Sequence, residues 1–118
     1  MQRAFSTLAT PPRAGLRMPP GFLAAGVRTG IKKRAGLDLA LIRSTVPCSA
    51  AGVFTKNAFA AAPVQVCREL LASDAAGAVE GIVINSGCAN ACTGERGLRD
   101  ARRTVELAGE LGVRNALV

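Results

Sequence analysis

The sequence contains no histidine, tryptophan or tyrosine, and only four of its 118 residues are phenylalanine. Without histidine, a zinc site would rest on Cys48, Cys67, Cys88 and Cys92. None of these forms a C-x-x-C pair, and Cys88 and Cys92 stand four apart. That spacing matches four-ligand zinc poorly, so no metal is assigned, and small buried thiols in a reducing compartment are expected. The scarcity of aromatics leaves Val, Leu, Ile and Ala to build the core and removes the stacking platforms of a single-strand nucleic-acid binder. No apolar run approaches the roughly 20 residues that a transmembrane helix requires.

Acidic residues are also missing from positions 1–34, which carry Arg3, Arg13, Arg17, Arg28, Lys32, Lys33 and Arg34. From position 35 onward eight basic residues face eight acidic ones, so the net charge of +7 belongs entirely to the N-terminus. No basic stripe continues along the chain as a groove-tracking surface demands, which argues against nucleic acid as a partner. An acid-free leader with Arg, Ser and Thr has the composition of an organellar transit peptide, the plainer alternative being a disordered tail. Residues 1–20 are read as such a peptide plus a linker punctuated by Pro11, Pro12, Pro19 and Pro20. The expected destination is the mitochondrial matrix, with a plastid as the alternative.

The remainder mixes two periodicities. "DLALIRS" (38–44) and "AAGVFTKN" (50–57) read as strands. "APVQV" (62–66) reads as a short extended piece because Pro63 fixes its own φ, with a helical turn at 69–73 and a surface loop at 74–77. "EGIVIN" (80–85) is a continuous apolar run suited to a buried central strand. From Leu98 the spacing changes: Leu98, Ala101, Val105, Ala108 and Leu111 mark one face of a helix expected to end at Gly112. Arg102 and Glu106 are the expected ion pair on its other side. Residues 115–118 look like the start of another strand. Mixed α/β is the class these patterns support.

Between strand and helix lies "VINSGCANACTGERG" (83–97), dense in small and polar residues. Gly87, Gly94 and Gly97 allow positive φ or close approach of a ligand. Asn85, Ser86, Asn90 and Thr93 can brace the turn or point outward as donors. A Thr hydroxyl beside a Gly N–H can supply two donors to one developing oxyanion at a helix start. The spacing fits neither phosphate-binding glycine pattern, so nucleotide binding lacks support. On these residues alone, an oxyanion site and a well-capped turn stay equally open.

Five landmarks in register decide more. "GFLAAGVRTGIK", "DLALI", "AAGVFTKNAFAAAPV", "INSGCANACTG" and the Gly-Leu-x-Asp-Ala helix start closely resemble the N-terminal part of the ornithine acetyltransferase family, over residues 21–118. The resemblance implies an α/β fold, a layered sheet-and-helix sandwich, of which residues 21–118 form part of the N-terminal (α-chain) domain. It implies an enzyme of arginine biosynthesis that carries acetyl from N-acetylornithine to glutamate through an acetyl-threonine intermediate. Acetyl-CoA is a further donor in some members, and no bound cofactor is implied. The precursor of such enzymes cleaves itself before a threonine, and the resulting β chain bears that nucleophile, so an α–β heterotetramer is the expected assembly.

By the same resemblance Thr93 and Gly94 form the oxyanion hole, with Asn85, Ser86, Gly87 and Asn90 shaping the turn. The family usually has Asn where this chain has Cys88, which removes an amide's hydrogen-bonding capacity. No nucleophile is assigned within the 118 residues, and the chain alone is expected to be inactive. The rival expectation is a non-catalytic anion-binding module or pseudo-subunit. Sequencing the transcript past Val118 separates the two. The resemblance predicts a frame continuing into Ser-Thr-Gly and then an Ala-Thr-Met-Leu segment, whereas a stop codon there favours the binding module.

Overall fold

A computed structural model describes residues 18–118; residues 1–17, with most of the expected transit segment, lie outside the described residues. Three antiparallel strands form a sheet in the order β1 (Phe22–Val27), β2 (Leu39–Cys48), β3 (Val79–Asn85). Helix α1 (Ala62–Leu71) and a 3₁₀ turn (Asp74–Ala78) join β2 to β3, and α2 (Gly94–Glu110) follows β3. The class is α/β, with the sheet layered against helices.

Strand β2 is the centre of the sheet, pairing with β1 from Phe22↔Ser44 to Val27↔Leu39 and with β3 from Leu39↔Asn85 to Arg43↔Gly81. The β2–β3 register shifts between Arg43 and Cys48. Pro47 lies in that stretch and has no N–H to give to a ladder. The central place expected for 80–85 therefore goes to β2. Strand β3 has a neighbour on its far side even so. Leu117 makes a parallel bridge to Ile82, donating to the Gly81 carbonyl at 2.9 Å and accepting from the Val83 N–H at 2.8 Å.

The extended reading of 62–66 fails because a proline in the first helical turn gives up an N–H that has no partner there anyway. Ala61 is extended, Pro63 sits in that first turn, and Ala62 and Val66 fall on one buried face. Residues 50–57 form no strand; Val53 is fully exposed, and the segment is held from outside by Arg68. Its guanidinium lies 5.6 Å from the centre of the Phe54 ring and donates to the Thr55 carbonyl. The thiols are buried only at Cys67; Cys88 and Cys92 are exposed and Cys48 is half-buried.

Helix α2 starts at Gly94, one turn before the apolar period begins. Its apolar side is narrow and built from small residues. Ala101 packs with Ala62 and Val66 of α1, flanked by Leu98, Val105 and Val118. Ala108 packs with Val113 and Ala116 against Leu41 and Val83 of the sheet. Gly112 at φ +80 closes the helix: its N–H reaches the Gly109 carbonyl at 2.9 Å, and Val113 N–H reaches Ala108 at 2.9 Å. That double bond pattern satisfies the last turn and delivers Val113, which is completely buried, into the core. On the outer face Glu106 pairs with Arg103 rather than Arg102, at 3.0 Å, while Arg102 reaches Glu69 of α1 at 3.1 Å. The neighbouring helix decides this, because α1 places Glu69 within reach of Arg102.

The C-terminal segment is clamped by Glu80. Its carboxylate accepts from the Arg114 guanidinium at 2.6 and 3.0 Å and from the Arg114 N–H at 3.0 Å. These bonds hold the Glu80 carboxyl below the usual glutamate range. Beside this clamp, Gly81 has no room for a side chain: a Cβ would stand 2.5 Å from Val113 Cγ1 and 2.7 Å from the Ile42 carbonyl oxygen. Gly81→Ala should therefore destabilise by about 1–3 kcal/mol, visible as a lower urea midpoint. An unchanged midpoint would mean that Val113 yields without cost.

Candidate functional site

The connection between β3 and α2, residues 86–93, folds back on itself because its backbone turns left-handed repeatedly. Asn90 (φ +48), Cys92 (φ +56) and Gly94 (φ +59) all occupy that region, which glycine and asparagine tolerate and cysteine rarely adopts. The side chain of Asn90 holds the result. Its Nδ2 donates to the Gly97 carbonyl at 2.9 Å, and its Oδ1 accepts from the Thr93 hydroxyl at 2.6 Å. Its main-chain carbonyl accepts from Ala62 N–H at 3.1 Å, tying the loop to the start of α1.

Gly97 serves this cluster differently from the role its residue type suggested. It does not take positive φ. A Cβ there would fall 1.8 Å from Thr93 Oγ1 and 2.5 Å from Asn90 Oδ1, so its missing side chain is the space those two groups occupy. Thr93 precedes α2 without capping it through its side chain. The first N–H groups of the helix consequently face outward with no carbonyl one turn behind them, which concentrates positive potential at Gly94. A cleft of about 290 Å³ opens at this point, walled by Phe59, Ala60, Gln65, Cys92, Thr93 and Gly94.

The six residues singled out in the sequence fall into two groups. Asn90, Thr93 and Gly94 meet at the helix start. Asn85, Ser86 and Gly87 lie at the other end of the loop, where the Asn85 amide donates to the Cys88 carbonyl at 2.7 Å and Ser86 N–H donates to the Asp38 carbonyl at 2.9 Å. Asn85, Cys88 and Asn90 share the lining of a separate cleft of about 310 Å³. The exposed thiol of Cys88 thus stands at the loop's outer end, away from the Thr93–Gly94 cleft.

The model of the ArgJ family matches residues 23–118. The chain belongs to the ArgJ family. Its similarity to the mitochondrial arginine biosynthesis bifunctional protein ArgJ of Schizosaccharomyces japonicus is 52% identity over 90 residues, covering 76% of this chain and 21% of that protein. The corresponding protein of Yarrowia lipolytica is 49% identical over 94 residues, covering 79% and 22%. The chain thus spans about a fifth of the length of these curated relatives. Among solved structures, ArgJ from Bacillus halodurans superposes with a TM-score of 0.75 at 39% identity, over 84% of this chain and 52% of that one. Ornithine acetyltransferase from Mycobacterium tuberculosis, complexed with ornithine, gives 0.73 at 39% identity, over 85% and 55%.

In this family member a second polar cluster is centred on Asp38, a residue that the sequence presents only as the start of the "DLALI" strand. Asp38 is 3% exposed. Its Oδ1 accepts from Thr29 N–H at 2.6 Å and Thr29 Oγ1 at 2.9 Å; its Oδ2 accepts from Gly30 N–H at 2.9 Å and Lys32 N–H at 3.1 Å. The available signal was Thr-Gly eight residues before an acid that opens a strand. The Thr29 N–H foremost, with the other donors, holds the carboxyl far below the usual aspartate range against the opposing pull of burial. A carboxylate so depressed stabilises the fold fully above its ordinary titration near pH 4, and the contribution is lost as pH falls further towards the folded value. Chemical denaturation at pH 7 and pH 3 should show weaker stability in acid, with a shallower dependence in Asp38→Asn. Equal slopes in the two proteins would remove Asp38 as a source of the acid sensitivity.

Proposed function

We propose that residues 21–118 supply the oxyanion-stabilising part of an acetyltransferase that moves acetyl from N-acetylornithine to glutamate. The observation that carries this reading is the meeting of the Thr93 hydroxyl and the Gly94 N–H at the start of a 17-residue helix, on the wall of a cleft. Membership of the family supports the choice of chemistry, and the ornithine bound to the Mycobacterium tuberculosis enzyme supports the choice of substrate. The names of the fungal relatives support a mitochondrial location, for which the matrix is our assignment.

In this reading a threonine at the N-terminus of a β chain, outside these 118 residues, is the nucleophile. Its hydroxyl attacks the acetyl carbonyl while its own α-amine accepts the proton. Charge then builds on the carbonyl oxygen, next to Gly94 N–H and the positive end of α2. Thr93 has one hydroxyl proton, which Asn90 Oδ1 holds at rest. Rotation about the C–O bond turns that proton to the developing anion, and the bond to Asn90 Oδ1 is given up as the new one forms. The C–N bond breaks, ornithine leaves with the proton, and the amine of glutamate takes the acetyl group from threonine by the reverse steps. Acetyl-CoA serves as a second donor at the same threonine. The 118 residues alone transfer no acetyl group, and the working assembly is an α–β heterotetramer.

Replacement of Thr93 by Ala in the complete enzyme should lower kcat on the order of a hundredfold, the usual effect of losing one oxyanion donor. The fold should survive, because Ala leaves the space beside Gly97 empty. Steady-state kinetics with N-acetylornithine and glutamate give the answer. A rate within twofold of wild type would reduce the loop to a capped turn.

A further inference from the structure

Building on the reading just given, we propose that Asp38 is a positioning residue for acetyl transfer: its carboxylate holds the 29–32 turn against which Gly87 rests, and so sets where Thr93 and Gly94 stand. Two independent connections run from Asp38 to the loop. The first is direct, since its main-chain carbonyl accepts the N–H of Ser86, the residue with which the loop begins. The second passes through the turn. Gly87, at φ +109, lies so close to it that a Cβ would stand 3.0 Å from Lys32 Cγ, 3.2 Å from Ile31 Cγ2 and 3.4 Å from the Ile31 carbonyl oxygen.

The turn has its shape because three backbone N–H groups and one hydroxyl converge on one carboxylate. Residues 28–38 form no strand or helix, so these bonds are what specifies the turn. Ile31 also faces the loop further along, since it lines one cleft with Cys88 and Asn90. Asn90 in turn holds Thr93 Oγ1. Asp38 meanwhile is fixed from behind: its N–H donates to the Val27 carbonyl at 3.1 Å at the end of β1, and Leu39, its neighbour, pairs with Asn85. The sheet thus positions the carboxylate, the carboxylate shapes the turn, and the turn supports the loop. Asp38 touches no reacting atom in this scheme.

The test is Asp38→Asn in the complete enzyme, with Thr29→Val and Gly87→Ala as companions. Asn keeps the volume but aims an NH₂ at groups that are themselves donors, so one side of the turn must move. Displacements of about an ångström at a reacting centre lower rates on the order of ten- to hundredfold. The expected result is a drop of that size in kcat per acetylatable threonine, counted by the burst of acetyl-enzyme, with KM for N-acetylornithine changed less than threefold. A purely structural role would lower the number of acetylatable sites and leave the rate per site intact, which would overturn the proposal.

If Asp38→Asn does not accumulate as folded protein, Thr29→Val decides. It removes one of the four bonds, and a rate per site equal to wild type there and in Gly87→Ala also overturns the proposal. Thr93→Ala serves as the reference. If it slows the enzyme while the Asp38, Thr29 and Gly87 variants do not, positioning fails and the oxyanion reading stands. If Thr93→Ala has no effect, the oxyanion reading itself has failed.

Discussion

One residue ties the loop to the starts of both helices. Asn90 binds the first turn of α2 through Gly97, the hydroxyl of Thr93 through its Oδ1, and the first residue of α1 through its main-chain carbonyl. All three bonds depend on the left-handed backbone of Asn90, which few residues other than glycine adopt readily. Glycine would keep the backbone and lose both side-chain bonds, whereas aspartate would keep the acceptor and lose the donor to Gly97. Asparagine meets all the requirements at once, and its bond to Ala62 adds to the Ala62–Ala101 packing and the Arg102–Glu69 pair that bring the two helices together.

The rest of the fold answers to a second constraint, the scarcity of large side chains. Contacts between α1, α2 and the sheet are made by Ala62, Ala101, Ala108 and Ala116, with Val66 and Val113 filling between them. Small residues let neighbouring segments approach closely, as at Gly81, where Val113 and the Ile42 carbonyl fill the place of a side chain. A core of this kind gains less from each buried side chain than one built on Leu and Phe. Polar ties such as Glu80 to Arg114 and Asp38 to the 29–32 turn consequently matter more in fixing which segment lies where. The apolar area that remains is unevenly covered: Ile82 and Ile84, on the sheet face turned away from α2, are more than a third exposed.

What could be read from sequence followed the range of the interactions involved. The 80–85 strand, the amphipathic stripe of α2 and the unusual loop between them were legible because hydrophobic period and glycine content are local signals. Strand β1 was not, since "FLAAGV" has little strand preference of its own and exists by pairing with β2. Residues 50–57 have the opposite history: Val53 and Thr55 favour a strand, yet among the described residues no strand pairs with them. Pro63 misled for a subtler reason, being as much at home in the first turn of a helix as in an extended segment. At the candidate site, residue types pointed to Thr93, Gly94 and Asn90, and they do meet. The Asp38 cluster and the role of Gly97 depend on contacts visible only in three dimensions.

Helix α2 is anchored at both ends by features that face particular directions. Gly97 must present its bare side to Thr93 and Asn90, and the turn at Gly112 must deliver Val113 beneath the sheet. Each residue of an α-helix advances the direction by about 100°. Inserting or deleting a single residue between these anchors would swing one of them roughly a quarter of the way round, so that the loop and the core could not both be satisfied. The length of this helix is therefore a phase relationship. Sequence drift can change its outer charges freely, while gain or loss of residues within it is confined to steps close to whole turns.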